Sequence, residues 1–332
     1  MPFVAYRKPN EATITVIAQQ DNLLYDTNDF KSKGFVFAPF DASKKEVLFP
    51  AHLIKKTTFT LQEPTSNAKS SICDSVEDSK ESYLSLLEKS IAFIKDSSVE
   101  KVVISRKESC PKPTENVVVL FQKLLHSYSN AFVYLWVHPK VGTWLGASPE
   151  RLLEVDGDLL KTMSLAGTQP YLDTVKVQWK QKEITEQELV TNFVIENLAP
   201  FITNMKASET YTVKAGSLLH LRTDIEGVLK PTATLQKLIH HLHPTPAVCG
   251  VPKKDAKAFI LKNEGYDRSF YTGFLGELNM DSNTCLYVNL RCMEITKKNT
   301  FVYVGGGITT DSIPEKEWQE TVSKSKTMKR IL

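Results

Sequence analysis

Residues 151–163 read Arg-Leu-Leu-Glu-Val-Asp-Gly-Asp-Leu-Leu-Lys-Thr-Met, and this stretch decides the fold class. Two short segments rich in leucine and valine meet at Asp156-Gly157, a pair typical of tight hairpins because both residues tolerate positive φ angles. The stretch therefore predicts two neighbouring antiparallel strands. A hairpin here argues against the regular strand-helix alternation of a parallel sheet.

On both sides of this hairpin, strand patterns and helix patterns are mixed. Because helices are inserted among hairpin-connected strands, we expect an α+β fold. The last helix has a start signal, with Ser312 and Glu315 as a capping box and Pro314 in the first turn. A polar stretch at 61–79 predicts a loop or linker. Helices are predicted at about 83–94, 115–128, 179–198 and 313–331, and strands at 12–17, 35–37, 102–104, 131–137, 151–163, 217–229, 270–278, 285–295 and 300–304.

Composition narrows the class of protein. The chain has 332 residues, 42% of them hydrophobic, which is enough for a large buried core. A formal net charge of +3, spread over both signs, does not indicate a nucleic-acid partner. The first 16 residues lack the pattern of a secretory signal and no run reaches membrane-spanning length, so we expect a soluble cytoplasmic protein. The five cysteines have no CxxC spacing and are expected to be reduced thiols.

Two of the predicted helices carry paired carboxylates. Glu183 and Glu186 lie three residues apart on one helix, and Glu317 and Glu320 repeat the spacing on the last one, each pair beside apolar residues. Four converging carboxylates would repel one another unless a hard divalent cation lay among them, and oxygen ligands favour Mg²⁺ or Ca²⁺. The alternative, two solvated helix faces, is common for such spacing. The spacing alone leaves both open.

Ten short motifs follow one another between residues 78 and 332, and together they resemble the chorismate-utilising enzymes. This family comprises isochorismate synthases, salicylate synthases, anthranilate synthase large subunits and aminodeoxychorismate synthases. The motifs are Lys101-Val-Val-Ile-Ser-Arg106, Leu145-Gly-Ala-Ser-Pro-Glu-Arg-Leu-Leu153, Ser164-Leu-Ala-Gly-Thr168, Lys182-Glu-Ile-Thr-Glu-Gln-Glu-Leu-Val190, His220-Leu221, Leu242-His-Pro-Thr-Pro-Ala247, Arg268-Ser-Phe-Tyr-Thr-Gly273, Leu290-Arg291, Gly305-Gly-Gly-Ile308 and Glu317-Trp-Gln-Glu-Thr321.

The resemblance implies a fold and a metal. The fold is a single chorismate-binding α+β domain with two large antiparallel β-sheets flanked by helices. Residues 1–77 would be a strand-rich N-terminal part of that domain, and residues 78–332 its catalytic core. The resemblance also makes Glu186 and Glu320 direct Mg²⁺ ligands, with Glu183 and Glu317 binding through water, and the metal would hold the ring carboxylate of chorismate.

Three positions of the resemblance indicate that water is the group added to the ring. Lys101 matches the lysine that isochorismate and salicylate synthases use as a general base for water. Ala166 replaces a lysine that serves as a covalent nucleophile in aminodeoxychorismate synthases. The Leu242-His-Pro-Thr-Pro-Ala-Val248 segment is similar to the isochorismate synthase form of its motif.

The remaining site residues are also carried over from the resemblance. Glu150 matches the general acid that protonates the departing C4 hydroxyl, for which its pKa would have to be raised. His220 matches a histidine near that hydroxyl. Arg291, expected on the strand at 285–295 facing the same way as Tyr287 and Met293, would bind the enolpyruvyl carboxylate through its planar guanidinium. The other substrate-binding positions are Ala166, Gly167, Thr168, Ala247, Tyr271, Gly305, Gly306 and Gly307.

The resemblance thus implies a Mg²⁺-dependent isochorismate synthase, an isomerase that adds water at C2 of chorismate and loses the C4 hydroxyl. Salicylate synthase, which goes on to eliminate pyruvate, is the nearest alternative, and a non-catalytic chorismate-binding subunit is an alternative of another class. We expect a monomer without a nucleic-acid, membrane or glutaminase partner, and a product that feeds either menaquinone or a siderophore. Two departures from the family pattern, Gln187 for a histidine and Gln169 for an arginine, leave rate and metal affinity open.

Overall fold

The structure is a computed structural model that describes residues 1–59, 80–216 and 218–332. The loop predicted at 61–79 lies outside the described residues. The helices are α1 Lys80–Lys95, α2 Val117–Ser127, α3 Gln181–Leu198, α4 Leu235–Leu242, α5 Lys253–Asn263 and α6 Pro314–Lys329. The strands are β1 Phe3–Arg7, β2 Thr13–Ala18, β3 Gly34–Ala38, β4 Val47–Pro50, β5 Leu53–Thr58, β6 Lys101–Pro111, β7 Phe132–His138, β8 Gly142–Ser148, β9 Arg151–Asp156, β10 Leu159–Pro170, β11 Ile202–Ala207, β12 Tyr211–Ala215, β13 Leu218–Leu229, β14 Gly250–Val251, β15 Phe274–Met280, β16 Asn283–Val288, β17 Cys292–Ile295 and β18 Asn299–Ile308.

Two large antiparallel sheets organise these strands, which confirms the predicted α+β class. The first sheet has the order β14-β6-β18-β17-β8-β7-β1-β2-β5. The second has the order β11-β13-β10-β9-β16-β15-β3-β4, and β12 also pairs with β13. The strands before residue 59 are divided between the two sheets, because β1, β2 and β5 lie in the first and β3 and β4 in the second.

Large aromatic side chains fill the space between the two sheets. Trp136 of β7 and Trp144 of β8, from the first sheet, belong to the same buried cluster as Phe35 and Phe37 of β3, from the second. The ring centroids of Phe37 and Trp136 are 4.9 Å apart. Aromatic pairs at such distances add to the large apolar area that each ring buries. The sheets are therefore held face to face by a buried aromatic layer.

Helices cover the outer faces and set the position of the site. α3 and α4 pack on the second sheet through Val194, Leu198 and Leu238. α1, α5 and α6 pack around β6 and the end of β18, where Trp318 of α6 is buried. The two helices that carry the paired carboxylates thus belong to different sheets, α3 to the second and α6 to the first.

The hairpin predicted within residues 151–163 is present, although its turn lies one residue later than predicted. Asp156 of β9 pairs with Leu159 of β10, so the two-residue loop is Gly157-Asp158. Gly157 has a φ of +61°, the left-handed region in which glycine carries no steric cost.

The single strand predicted at 285–295 is wrong. β16 ends at Val288 in the second sheet and β17 begins at Cys292 in the first, so the intervening residues carry the chain from one sheet to the other. Arg291 has a φ of +48° at this crossing. Tyr287 and Met293 consequently lie in different sheets and do not share a strand face with Arg291.

The predicted capping box of the last helix is also wrong. Ile313 is the N-cap residue of α6 and no side chain caps it. The hydroxyl of Ser312 instead accepts a hydrogen bond of 3.1 Å from the backbone N–H of Thr309. Pro314 does occupy the first turn, as predicted.

Two further observations bear on the composition-based expectations. Cys249, Cys285 and Cys292 are buried free thiols, but Cys110 is disulfide-bonded, so the expectation of reduced thiols is wrong at that position. No helix in the described ranges is long and apolar enough to cross a membrane.

Candidate active site

A cleft of about 690 Å³ collects most of the predicted site residues. Its walls come from β6 and β18 of the first sheet, β10 and β13 of the second, and the two carboxylate-bearing helices. Four predicted residues, Lys101, Glu183, Glu317 and Glu320, lie outside its immediate lining. The predicted residues that line it are Glu150, Ala166, Gly167, Thr168, Glu186, His220, Ala247, Tyr271, Arg291, Gly305, Gly306 and Gly307.

Lys101 lies directly behind this lining. It is the first residue of β6, which runs between β14 and β18, and its side chain is fully buried. Its Nζ atom is 2.8 Å from Oε1 of Glu186 on α3. The ammonium group is therefore paired with a carboxylate that itself faces the cleft.

Glu186 carries a stable negative charge. Burial alone raises the pKa of the Glu186 carboxyl, but the charge and hydrogen bond of Lys101, together with the charges of Lys324 and Lys182, bring the pKa below its ordinary value. Glu186 is an anion at neutral pH, as a metal ligand must be.

Glu150 lines the same cleft as Glu186, but it favours the neutral, protonated form. It is 3% exposed, directly before β9. Burial raises the pKa of Glu150 from 4.5 to about 8, against the opposing effects of the Lys101 charge and a hydrogen bond with Thr245. A carboxyl with this pKa holds its proton at neutral pH and can donate it.

Three carboxylates converge at the end of β18. A side chain on Gly306 would begin 3.9 Å from Oε2 of Glu317 and 3.8 Å from Oε1 of Glu320. A side chain on the next residue, Gly307, would begin 2.7 Å from Oε1 of Glu186. α3 and α6, which are far apart in sequence, therefore bring Glu186, Glu317 and Glu320 close to two neighbouring residues of β18.

Glu183 does not join these three. Its carboxylate accepts a hydrogen bond of 3.2 Å from the backbone N–H of Lys180, at the N-terminus of α3. Negative charge is favourable at that end of a helix, so this contact stabilises α3. The water-mediated metal role expected for Glu183 stays a prediction.

The convergent carboxylates match the donor chemistry of a hard divalent cation, which prefers oxygen ligands. Each is paired with a lysine: Lys101 with Glu186 at 2.8 Å, Lys182 with Glu317 at 2.6 Å and Lys324 with Glu320 at 2.6 Å. Within the described ranges, no three Asp, Glu, His or Cys side chains already stand in a metal-ligating cluster. The carboxylate oxygens are nevertheless the type of ligand that Mg²⁺ prefers, and the three lysines supply the positive charge beside them.

Arg291 and His220 form the other wall of the cleft. Nδ1 of His220 donates to the carbonyl of Gly167 at 2.8 Å, and Nε2 lies 3.4 Å from a guanidinium nitrogen of Arg291, which can donate to it. Burial and the charge of Arg291 lower the pKa of His220 to about 3. His220 is therefore neutral, and it orients the guanidinium. Arg291 has no carboxylate ion pair in the described part of the chain, which leaves its charge for a ligand.

Two lysines of the site were missed by the sequence analysis. Lys324 lines the cleft, pairs with Glu320 and donates to the carbonyl of Gly305 at 3.0 Å. Its position four residues after Glu320 on α6 is a readable signal, because glutamate and lysine at this spacing attract each other on a helix. Lys182 lies four residues before Glu186 on α3, but its ion-pair partner is Glu317, 135 residues away, which no local spacing indicates.

Comparisons with known proteins identify relatives of this chain. Residues 39–332 match the family model of the chorismate binding enzymes. The chain is 32% identical to the isochorismate synthase DhbC of Bacillus subtilis over 271 residues, 76% of this chain and 68% of that protein. It is 27% identical to the vibriobactin-specific isochorismate synthase of Vibrio cholerae over 290 residues, 84% of this chain and 70% of that protein.

A solved structure extends the comparison to the fold. MenF, the menaquinone-specific isochorismate synthase from Escherichia coli, matches with a TM-score of 0.84 at 21% identity, over 100% of this chain and 89% of that one. At this identity the likeness concerns the fold alone. The family model, by contrast, spans the cleft from Lys101 to Lys324. This chain belongs to the family of chorismate-binding enzymes.

Proposed function

We propose that this protein is an isochorismate synthase, which converts chorismate to isochorismate by adding water at C2 and releasing the C4 hydroxyl. One observation carries the proposal: Glu150 lines the cleft and holds its proton, and Lys101 lies directly behind the lining, 2.8 Å from Glu186. The amine of Lys101, in its neutral form, would take a proton from water, and a buried carboxyl with a pKa of about 8 can give one.

The proton transfers balance between these two residues. In its neutral form, the amine of Lys101 accepts a proton from water as the water oxygen bonds to C2 of the ring. The double bonds of the ring shift, the bond between C4 and its hydroxyl breaks, and Glu150 protonates the leaving hydroxyl, which departs as water. One water is consumed and one released, so substrate and product are isomers.

The substrate carboxylates would meet the two charged walls of the cleft. Arg291, held by neutral His220, is suited to the enolpyruvyl carboxylate, because a planar guanidinium binds a carboxylate through two parallel hydrogen bonds. Tyr271 and the glycines at 305–307 line the cleft as well.

Mg²⁺ is part of this proposal. Glu186 and Glu320, with Glu317, are the residues that would hold it, and the bound ion would fix the ring carboxylate and offset its charge. Glu183 would take part only through water, from its place at the N-terminus of α3.

Water as the nucleophile is supported at Ala166. This residue lines the cleft and carries a methyl group, so it offers no amine for covalent attack on the ring. Several curated relatives of the chain are isochorismate synthases. No ammonia-supplying partner is needed for this reaction, and we propose that the chain acts without a glutaminase subunit.

Product analysis tests the proposal. The purified protein is incubated with chorismate and Mg²⁺, and the products are separated by liquid chromatography. We expect isochorismate, no product when the metal is chelated, and no anthranilate when ammonium is added. Accumulation of salicylate and pyruvate would assign the chain to the salicylate synthases instead, and unconsumed chorismate would mean a non-catalytic binding protein.

A further inference from the structure

Three lysines form ion pairs with the three carboxylates near the end of β18, but the lysines differ in exposure and in the number of their partners. Lys101 is fully buried. The side chain of Lys324 is 15% exposed and has a second anchor, the carbonyl of Gly305. The side chain of Lys182 is 34% exposed, and Glu317 is its one hydrogen-bond partner in the described part of the chain. Lys182 is therefore the lysine that can leave its carboxylate for solvent.

Lys182 is a partly exposed cation beside the three carboxylates. It lies in the first turn of α3, whereas its partner Glu317, 3% exposed, lies in the first turn of α6. The charges of Glu317, Glu320 and Glu186 all act on its ammonium group. A lysine ammonium is a compact charge on a flexible stem, so it can supply positive charge to the site and then swing away.

We propose that Lys182 is a resident counter-ion that a divalent metal ion displaces from Glu317, and that this competition sets the metal affinity of the site. The inference rests on the metal site of the proposed function and adds to it a residue that controls occupancy. A metal ion that binds only when Glu317 is not paired with Lys182 has a lower apparent affinity, in proportion to the fraction of protein in that unpaired form. Lys182 therefore weakens metal binding, and its ammonium group offsets the negative charge of Glu317 until the metal binds.

Metal binding by variants provides the first test. Mn²⁺ binding to the full-length protein is measured by electron paramagnetic resonance of the free ion and by calorimetry, without substrate. We expect Lys182→Met to bind Mn²⁺ about fivefold more tightly than the wild type, the effect of removing a partly buried ion pair. Lys316→Met is the matched control, because Lys316 is exposed and adjacent to Glu317 but lies on the outer face of α6. Its Mn²⁺ affinity should change less than about twofold, since exposed charges are well screened.

Chemical labelling of the wild-type protein provides a second test that needs no variant. An amine-reactive reagent is added with and without Mn²⁺, and the modified lysines are identified by mass spectrometry. Displacement from Glu317 should make Lys182 react faster when the metal is present, whereas Lys316 should react at one rate in both conditions.

The outcomes separate this inference from the metal site itself. Weaker or unchanged Mn²⁺ binding in Lys182→Met would mean that the lysine only positions Glu317, and would overturn the competition. Unchanged labelling of Lys182 on metal addition would do the same. If the wild-type protein binds no Mn²⁺, the metal site of the proposed function fails, and the role of Lys182 fails with it.

Discussion

In the proposed reaction, Lys101 acts as the base and Glu150 as the acid, and their surroundings differ. Lys101 has the Glu186 carboxylate at 2.8 Å. Glu150 is dominated by burial, which favours its neutral form. A carboxyl that keeps its proton at neutral pH is suited to act as the acid of this reaction.

Replacing Lys101 with alanine tests the base. We expect Lys101→Ala to lose turnover by a factor of about 10² to 10⁴, the usual contribution of general base catalysis, while chorismate still binds. Single-turnover kinetics and a binding isotherm separate the two effects. Lys107→Ala is the control, because Lys107 is an exposed lysine on the same strand. Unchanged turnover in Lys101→Ala would remove the base assignment.

Glu150 predicts an alkaline limit to activity. The acid must carry a proton, so kcat/KM should fall about tenfold per pH unit above a pKa of about 8. Glu150→Gln should lack this limb and lose turnover by a factor of about 10² to 10⁴. A pH–rate profile of the wild type and the variant measures both. A wild-type profile that stays flat to pH 10 would contradict the role of Glu150.

The same pKa predicts a change in stability with pH. Between the ordinary pKa of 4.5 and the folded value of about 8, the folded state binds more protons at Glu150 than the unfolded state does. The contribution of Glu150 to stability is therefore fully present below pH 4.5 and is lost as pH rises towards 8. We expect Glu150→Gln to melt roughly 3 °C above the wild type at pH 8 and close to it at pH 4.5. An equal difference at both pH values in scanning calorimetry would contradict this assignment.

The burial of Lys101 could not be read from its neighbours in the sequence. A lysine before Val-Val-Ile is as consistent with a solvated strand start as with a buried one, and only the family resemblance favoured the latter. Its burial depends on β14 and β18, whose residues lie about 150 and 200 positions further along the chain. Contacts at such separations leave no periodic signal.

At the scale of elements, the glycines that end β18 decide how closely α3 approaches the first sheet. The glycine run at 305–307 lies beyond the predicted strand at 300–304, but the structure keeps it in β18, paired with residues 103–105 of β6. A side chain on Gly307 would begin 2.7 Å from both Oε1 of Glu186 and Cε of Lys101. The absence of a side chain at this position is therefore needed for the Lys101–Glu186 pair.

Alanine at this glycine should disrupt the pair. We expect Gly307→Ala to lower the free energy of unfolding of the free protein by about 1–3 kcal/mol, the usual cost of overpacking. Gly306→Ala is the neighbouring control, because the closest atom to its new side chain would be 3.8 Å away, an ordinary contact. Its stability should stay within about 0.5 kcal/mol of the wild type. Urea denaturation measures both, and equal destabilisation of the two variants would contradict the close approach.

Some long elements were predicted with their ends, whereas β6 and β18 extend well beyond the strands predicted at 102–104 and 300–304. α3 and β13 follow strong local patterns and lie within two residues of the predicted bounds. The break at Arg291 was missed because apolar residues continue on both sides of it, although the chain changes sheets there. The capping box failed because Ser312 has a second local partner, the N–H of Thr309, and local patterns do not choose between two such partners.

At the scale of the whole molecule, the proposed metal would join the two layers. Glu186 belongs to α3, which packs on β10 of the second sheet. Glu317 and Glu320 belong to α6, which packs on β18 of the first. The hairpin and the mixture of strand and helix patterns predicted the class of fold. The strand order that brings these helices together arises instead from pairings between distant segments. Their convergence was accessible from the sequence only through the family resemblance.

This arrangement predicts that the metal stabilises the whole protein. A ligand that binds the folded state alone raises the free energy of unfolding by about 2.7 kcal/mol at a concentration one hundred times its Kd. We therefore expect saturating Mg²⁺ to raise the Tm by roughly 5 °C relative to chelated protein at equal ionic strength. Glu320→Gln should lose most of this shift, because it removes a charged ligand from one layer.

The matched control is Glu315→Gln, which changes an exposed glutamate in the first turn of the same helix. Its Mg²⁺-induced shift should equal that of the wild type, because Glu315 pairs with Lys80 at the surface and takes no part in the convergent set. If Glu315→Gln and Glu320→Gln reduced the shift equally, Mg²⁺ would be acting on the general charge of α6. If Glu320→Gln kept the full Mg²⁺-induced rise in Tm, the metal would bind elsewhere. The carboxylates of α3 and α6 would then not be its ligands.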